Sequence, residues 1–288
     1  MDAHQFHQTR KFAATPFGRI AYVERGTGPV AMFLHGFPLN GFQWRNVMDD
    51  LSTTRRCIAP DMMGLGYSEV SATQELLFEA QAKMLAAFLD RIGVDKVDLT
   101  GNDSGGGISQ IFAAHFPSRV RTLTLTNCEV HDLWPNPTLR ALTGVISSEA
   151  ARATFRAMLE NPDVARNSFA PAYEDPQRIP DEAFRAYLEP LQATDDKANN
   201  LRRFFELERN VEQLVAAAPQ LRQLKVPTQV VWGDTDVFFD MPASLGWLKQ
   251  NLPGIKNVIT VPGGRVFFPE EHPKLMSVLL REFWRAAS

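Results

Sequence analysis

The chain has 288 residues, 44% hydrophobic and 22% charged, enough for one large domain carrying an insertion or for two ordinary ones. A formal net charge of −3, with the basic residues scattered, excludes a phosphate-tracking surface, so no nucleic-acid partner is expected. No apolar run approaches the ~20 residues needed to cross a bilayer. Residues 1–11 are polar and lack the apolar stretch of a secretory signal, and Cys57 and Cys128 lie in strand-like segments as reduced core thiols. Those features together predict a cytoplasmic address.

Residues 12–18 and 19–25 read as two short strands around a turn at Pro16-Phe17-Gly18. Residues 30–34 form an unbroken apolar run, as in a strand buried on both faces. A helical pattern at 43–51 precedes a strand at 56–59. The apolar spacing of 75–92 predicts a helix stopped by Gly93. A strand at 96–100, a helix at 106–116 halted by Pro117 and a strand at 120–126 follow. Strands alternating with helices argue for a mostly parallel sheet covered on both faces. Between residues 131 and 215 the alternation stops, and helical patches separated by prolines take over. A structureless loop of that length is improbable, so 131–215 is expected to be a helical cap inserted into a core of 1–130 and 216–288. The alternation resumes with a strand at 228–232, a helix at 243–251, a strand at 257–261 and a helix at 271–286.

Leu99-Thr100-Gly101-Asn102-Asp103-Ser104-Gly105-Gly106-Gly107 joins a strand to a helix in the small-x-nucleophile-x-small-small form of a nucleophile elbow. Crowding around such a turn explains Gly101, Gly105 and Gly106. Asp103 falls at its centre. Asp103 could instead simply cap the following helix, and a shifted frame would make Ser104 the nucleophile, with Asn102 at the position that favours glycine.

These residues resemble the α/β-hydrolase superfamily, within it the branch of haloalkane dehalogenases and epoxide hydrolases. The likeness extends to His35-Gly36-Phe37-Pro38, similar to the oxyanion-loop motif, with Trp44-Arg45 at the spacing of epoxide hydrolases. It includes Asp61-Met62-Met63-Gly64-Leu65-Gly66-Tyr67-Ser68, similar to a D-x-x-G-x-G-x-S turn, and Trp232-Gly233-Asp234-Thr235-Asp236, similar to the turn presenting the triad acid. The resemblance implies an eight-stranded, mostly parallel sheet with helices on both faces and a helical cap. It implies no cofactor and no metal, and a small apolar organic substrate. A homodimer is left open.

An aspartate at the elbow implies attack on a saturated carbon bearing a leaving group, a halide or an epoxide oxygen, giving an alkyl ester on Asp103. Water activated by a general base then hydrolyses that ester, with the backbone N–H groups of Phe37 and Ser104 as the implied oxyanion hole. Two acids are candidates to orient a base: Asp236, slightly favoured, and Glu129, each also readable as a turn or cap-entrance residue. The base itself departs from the family. Where relatives have a histidine after the last strand, aligning Pro262 and Glu270-Glu271 places Val266. His272 and His131 are the substitutes to consider, each more simply read as a surface residue. His35 is a substrate-side candidate better read as a buried, hydrogen-bonded histidine. Trp44, and the cap tyrosines Tyr173 and Tyr187 as donors to an opening epoxide oxygen, complete the expected substrate contacts. A halide-donor tryptophan after the nucleophile is replaced by Ser104. The leading expectation is an Asp-nucleophile hydrolase with an altered base. A turnover-deficient ligand-binding or lyase/cyclase homologue comes next, and a Ser104 esterase third.

Overall fold

A computed structural model describes residues 1–146, 149–193 and 195–287. Its frame is one eight-stranded sheet in the order β1-β2-β4-β3-β5-β6-β7-β8. The strands are β1 (Lys11–Thr15), β2 (Gly18–Arg25), β3 (Val30–Leu34), β4 (Arg56–Pro60), β5 (Val97–Asn102), β6 (Val120–Thr126), β7 (Thr228–Gly233) and β8 (Ile255–Val261). Only the β1–β2 and β2–β4 pairings are antiparallel. From β4 onward the sheet is parallel, as the strand–helix alternation predicts. Strands β5 and β7 are buried at every residue, including the polar Asp98, Thr100, Asn102, Thr228 and Gln229.

The helices are α1 (Ala3–Gln8), α2 (Arg45–Leu51), α3 (Phe78–Arg91), α4 (Ser104–His115), α5 (Pro137–Ile146), α6 (Glu149–Glu160), α7 (Pro162–Phe169), α8 (Asp181–Leu188), α9 (Asp195–Phe204), α10 (Leu207–Leu221), α11 (Met241–Asn251), α12 (Phe268–Glu271) and α13 (Pro273–Ala286). Eleven of the twelve residues of α4 are buried, so this helix shows no polar face. It packs against β5, α3 and α10.

Local chemistry moves several boundaries from their expected places. The first helix was not expected: Asp2 caps it, accepting from the Gln5 N–H while the Gln5 side chain reaches back to Asp2, and Phe6 anchors it in the core. The last helix is split at His272, because Pro273 cannot donate a helical hydrogen bond and the residue before a proline is pushed toward extended backbone. Helix α10 runs through residue 215, the expected end of the insertion, and packs on α3 and α4.

Candidate active site

Strand β5 delivers its C-terminal end directly into α4, and Asp103 occupies the turn with φ 52° and ψ −130°. That positive φ is unusual for a residue with a side chain and identifies Asp103, not Ser104, as the apex. The turn is held by Asp103 N–H to Asn127 O (2.8 Å) and Gly106 N–H to Asp103 O (2.7 Å). The glycines are required by contact. A Cβ on Gly101 would lie 2.3 Å from Gly105 O, one on Gly105 would lie 2.5 Å from Leu34 O, and one on Gly106 would lie 2.4 Å from Cys128 Cβ.

One carboxylate oxygen of Asp103 accepts from the Phe37 N–H at 2.7 Å, and the Ser104 N–H also donates to this carboxylate. The two backbone donors expected to form an oxyanion hole therefore converge on the Asp103 side chain itself. Gly36 has to be glycine here, since a Cβ would sit 2.7 Å from Asp103 Oδ2. Burial raises the Asp103 pKa to about 7 despite those N–H bonds, and the charge of Asp236 pushes the same way.

Asp236, in the turn after β7, accepts from Asn127 Nδ2 (2.7 Å) and from the Phe238 N–H (2.8 Å). Burial raises it to about 6 against these hydrogen bonds. Glu129, after β6, is raised well above the usual carboxylate range by burial and then by the charge of Asp103. One of its oxygens accepts from the Ser104 hydroxyl at 3.1 Å, and the other is buried without a partner. The Ser104 hydroxyl is thus directed at Glu129. Three carboxyl groups surround the elbow, and among the described residues no lysine, arginine or histidine forms an ion pair with any of them.

Asp103 forms part of the wall of a cavity of about 120 Å³. Most of the rest is apolar: Phe37 and Pro38 follow β3, Phe238 follows β7, Val266 and Phe267 follow β8, and Leu139, Phe155, Met158 and Phe169 come from α5, α6 and α7. Thr154 and Ser168 add two hydroxyl-bearing residues. Val266, 2% exposed, presents its side chain here, and its carbonyl accepts from Asn102 Nδ2 at 2.8 Å. Asn102 in turn accepts from Gln43 Nε2 (2.6 Å), whose Oε1 accepts the Gly36 N–H (2.9 Å). This relay ties the Val266 loop, the elbow and the Phe37 loop together, and the sequence reading did not single out Gln43.

None of the six histidines is among the residues lining the cavity. His272 caps α13 at the surface, with Nε2 2.7 Å from Glu174 Oε2. His131 stacks on Trp247 at 4.8 Å and bonds Asp132, away from Asp103. His35 is fully buried and held neutral by burial; Nδ1–H donates to Gly36 O (2.9 Å) and Nε2 accepts from the Met62 N–H (3.0 Å). Its role is to shape the loop, and it does not reach the cavity.

Trp44, Tyr173 and Tyr187, expected as substrate contacts, are not among the described residues lining the cavity. Trp44 is fully buried and packs on Phe33, with ring centroids 5.3 Å apart. Both tyrosine hydroxyls donate to Glu270 at 2.6 Å, and Glu270 pairs with the buried guanidinium of Arg45. A buried carboxylate and guanidinium need every available partner, so the tyrosines are consumed by that cluster rather than presented to a ligand. Among the described residues no group of His, Cys, Asp or Glu is arranged to hold a metal ion, and no helix is long and apolar enough to cross a membrane.

Over 92% of its length the chain is 28% identical to haloalkane dehalogenase 2 of Mycobacterium tuberculosis, covering 91% of that protein. It is 28% identical to epoxide hydrolase 2 of Siraitia grosvenorii over 90% of this chain and 92% of that one. Among solved structures, the ligand-free epoxide hydrolase CorEH superposes with a TM-score of 0.80 at 21% identity, over 97% of this chain and 99% of that one. The putative ancestral haloalkane dehalogenase AncHLD2 superposes with a TM-score of 0.78 at 22% identity, over 96% and 99%. The family model described as alpha/beta hydrolase fold matches residues 29–272, which span the sheet from β3 onward, the elbow and the cavity, and the chain belongs to the α/β-hydrolase family.

Proposed function

We propose that Asp103 is a nucleophile toward a saturated carbon bearing a halide or an epoxide oxygen, forming an alkyl ester within the cavity. The supporting observation is the carboxylate at a strained elbow, facing an apolar cavity and anchored by two backbone N–H groups. The C–O bond forms as the carbon–halogen or carbon–oxygen bond breaks, and the bonding pair leaves with the halide or alkoxide. In the second half-reaction the Phe37 and Ser104 N–H groups are placed to stabilise the oxyanion on the aspartyl carbonyl. Residues 131–215 supply the cap over this site in the same reading, with small apolar molecules as substrates.

Val266 stands where relatives are expected to carry the base, so breakdown of the ester is slow and the alkyl-enzyme accumulates. This same residue favours a second reading, a homologue that binds or alkylates without hydrolytic turnover. Intact-mass spectrometry after incubation with a primary alkyl bromide or a terminal epoxide tests both. The expected result is a single alkyl adduct that is lost in Asp103→Asn and retained in Ser104→Ala. Absence of any adduct together with rapid product release would instead require an unrecognised base. An adduct that persists in Asp103→Asn overturns the assignment of the nucleophile.

A further inference from the structure

The cavity above Asp103 combines two properties that rarely serve an anion. Six phenylalanines line it, namely Phe37, Phe155, Phe169, Phe205, Phe238 and Phe267. Asp103 is the only ionisable residue that reaches it among the described lining residues. Behind Asp103 stand Asp236 and Glu129, close enough for all three carboxyl groups to affect one another's ionisation. No side-chain N–H is available from the described lining residues to receive a departing halide or alkoxide. A cation meets the opposite conditions. The faces of aromatic rings attract cations, and the effect strengthens where water is excluded. An ionised carboxylate enclosed by protein is normally matched by a counter-charge, and here the protein supplies only N–H dipoles.

We propose that this cavity is a binding site for a compact, apolar-substituted organic cation, a quaternary ammonium or sulfonium group, seated among the phenylalanine rings with its charge facing Asp103. The inference goes beyond the alkylation chemistry and does not depend on it. Binding requires the charge of the carboxylate, whereas ester formation requires its nucleophilicity. Phe238 and Phe267 approach from the loops after β7 and β8, and Phe155 and Phe169 from α6 and α7, so the cation is enclosed from both the sheet side and the helical side. The two hydroxyl-bearing residues, Thr154 and Ser168, lie on the helical side and suit a ligand with one neutral polar substituent.

The test compares (2-hydroxyethyl)trimethylammonium with its neutral carbon isostere, 3,3-dimethylbutan-1-ol, by calorimetry on the full chain at pH 8. The two probes have the same shape and differ in charge. The cation is expected to bind at least about tenfold more tightly, the factor that corresponds to one or two desolvated cation–π contacts. That advantage should fall several-fold in Asp103→Asn, which keeps the rings but removes the charge, and likewise in Phe238→Leu and Phe267→Leu, with melting curves confirming that each variant is folded. At pH 6 the cation should take its place with release of a proton, giving a heat that depends on the ionisation enthalpy of the buffer. Equal or tighter binding of the alcohol, or no heat from either probe at millimolar concentration, overturns the proposal. Alkylation of Asp103 by a neutral bromide is read separately by mass, so failure here and failure of the nucleophile assignment are distinguishable.

Discussion

At the scale of single residues, the chemistry follows from the environment of one carboxyl group. With the Asp103 pKa raised to about 7, the fraction ionised at pH 6 is roughly a tenth, and it approaches one above pH 8. Only the carboxylate attacks, so the rate of adduct formation should rise about tenfold between pH 6 and pH 8 and then level off. Single-turnover mass spectrometry across that range checks it, and a flat profile would mean that Asp103 stays ionised throughout. Val266 supplies the second prediction. Its site is apolar and closed, and its carbonyl is already tied to Asn102, so a histidine there would keep its backbone anchor while its ring entered the cavity wall. Val266→His is expected to hasten breakdown of the alkyl-enzyme, by up to the ~10²–10⁴-fold typical of general-base assistance. Adding Asp236→Asn to that variant should remove the gain. If the larger ring does not fit, the variant will melt earlier and the ester will persist.

At the scale of elements, the segment from α7 to α8 is fastened to the sheet domain by the Arg45–Glu270 pair and the two tyrosine hydroxyls that close around it. Glu270→Ala leaves a buried guanidinium without its counter-charge and should cost about 3–5 kcal/mol of unfolding free energy. Tyr173→Phe removes one hydrogen bond to a charged group and should cost about 1.5–3 kcal/mol. Urea titrations of both variants measure the difference. This cluster also explains what the sequence did and did not disclose. The elbow was legible because its small residues occupy a pattern that only a crowded turn requires, and the alternation of β3 to β6 with helices gave the sheet. The partnership of Tyr173 and Tyr187 with Glu270 was not legible, because residence in the inserted segment does not tell which face is turned to a ligand and which to the core. That depends on helix phase relative to distant partners, here Arg45 and Glu270, separated by 225 residues. The aromatic character of the cavity was hidden for the same reason, since its phenylalanines come from the loops after β3, β7 and β8, from α6 and α7, and from the end of α9.

For the whole molecule, the three carboxyl groups couple function to stability. Each has a folded-state pKa above its unfolded value, with Asp103 at about 7, Asp236 at about 6 and Glu129 well above the usual range. Between the unfolded value near 4 and the folded values, the native state holds more protons than the unfolded chain. Stability therefore falls as pH rises through that window, which is the reverse of the usual salt-bridged carboxylate. The contribution of these three groups makes the fold melt at a higher temperature at pH 5 than at pH 8, against the opposite pull of His7 and His35, whose pKa values burial lowers. Asp103→Asn should narrow that difference by raising the melting temperature chiefly at pH 8. Differential scanning calorimetry at the two pH values reads this directly, and a larger difference in the variant would contradict it.

The strained backbone at Asp103 bears on the use of its side chain. A side chain held at φ 52° costs of the order of 1–3 kcal/mol, and in an idle pocket the strain has a ready release through Asp103→Gly. The carboxylate offers what glycine would not, an acceptor for the Phe37 and Ser104 N–H groups, while the glycines at 36, 101, 105 and 106 are required by the turn itself. A chain that keeps a strained acid where glycine would relieve the turn is one in which that side chain is used, in keeping with the role proposed for Asp103.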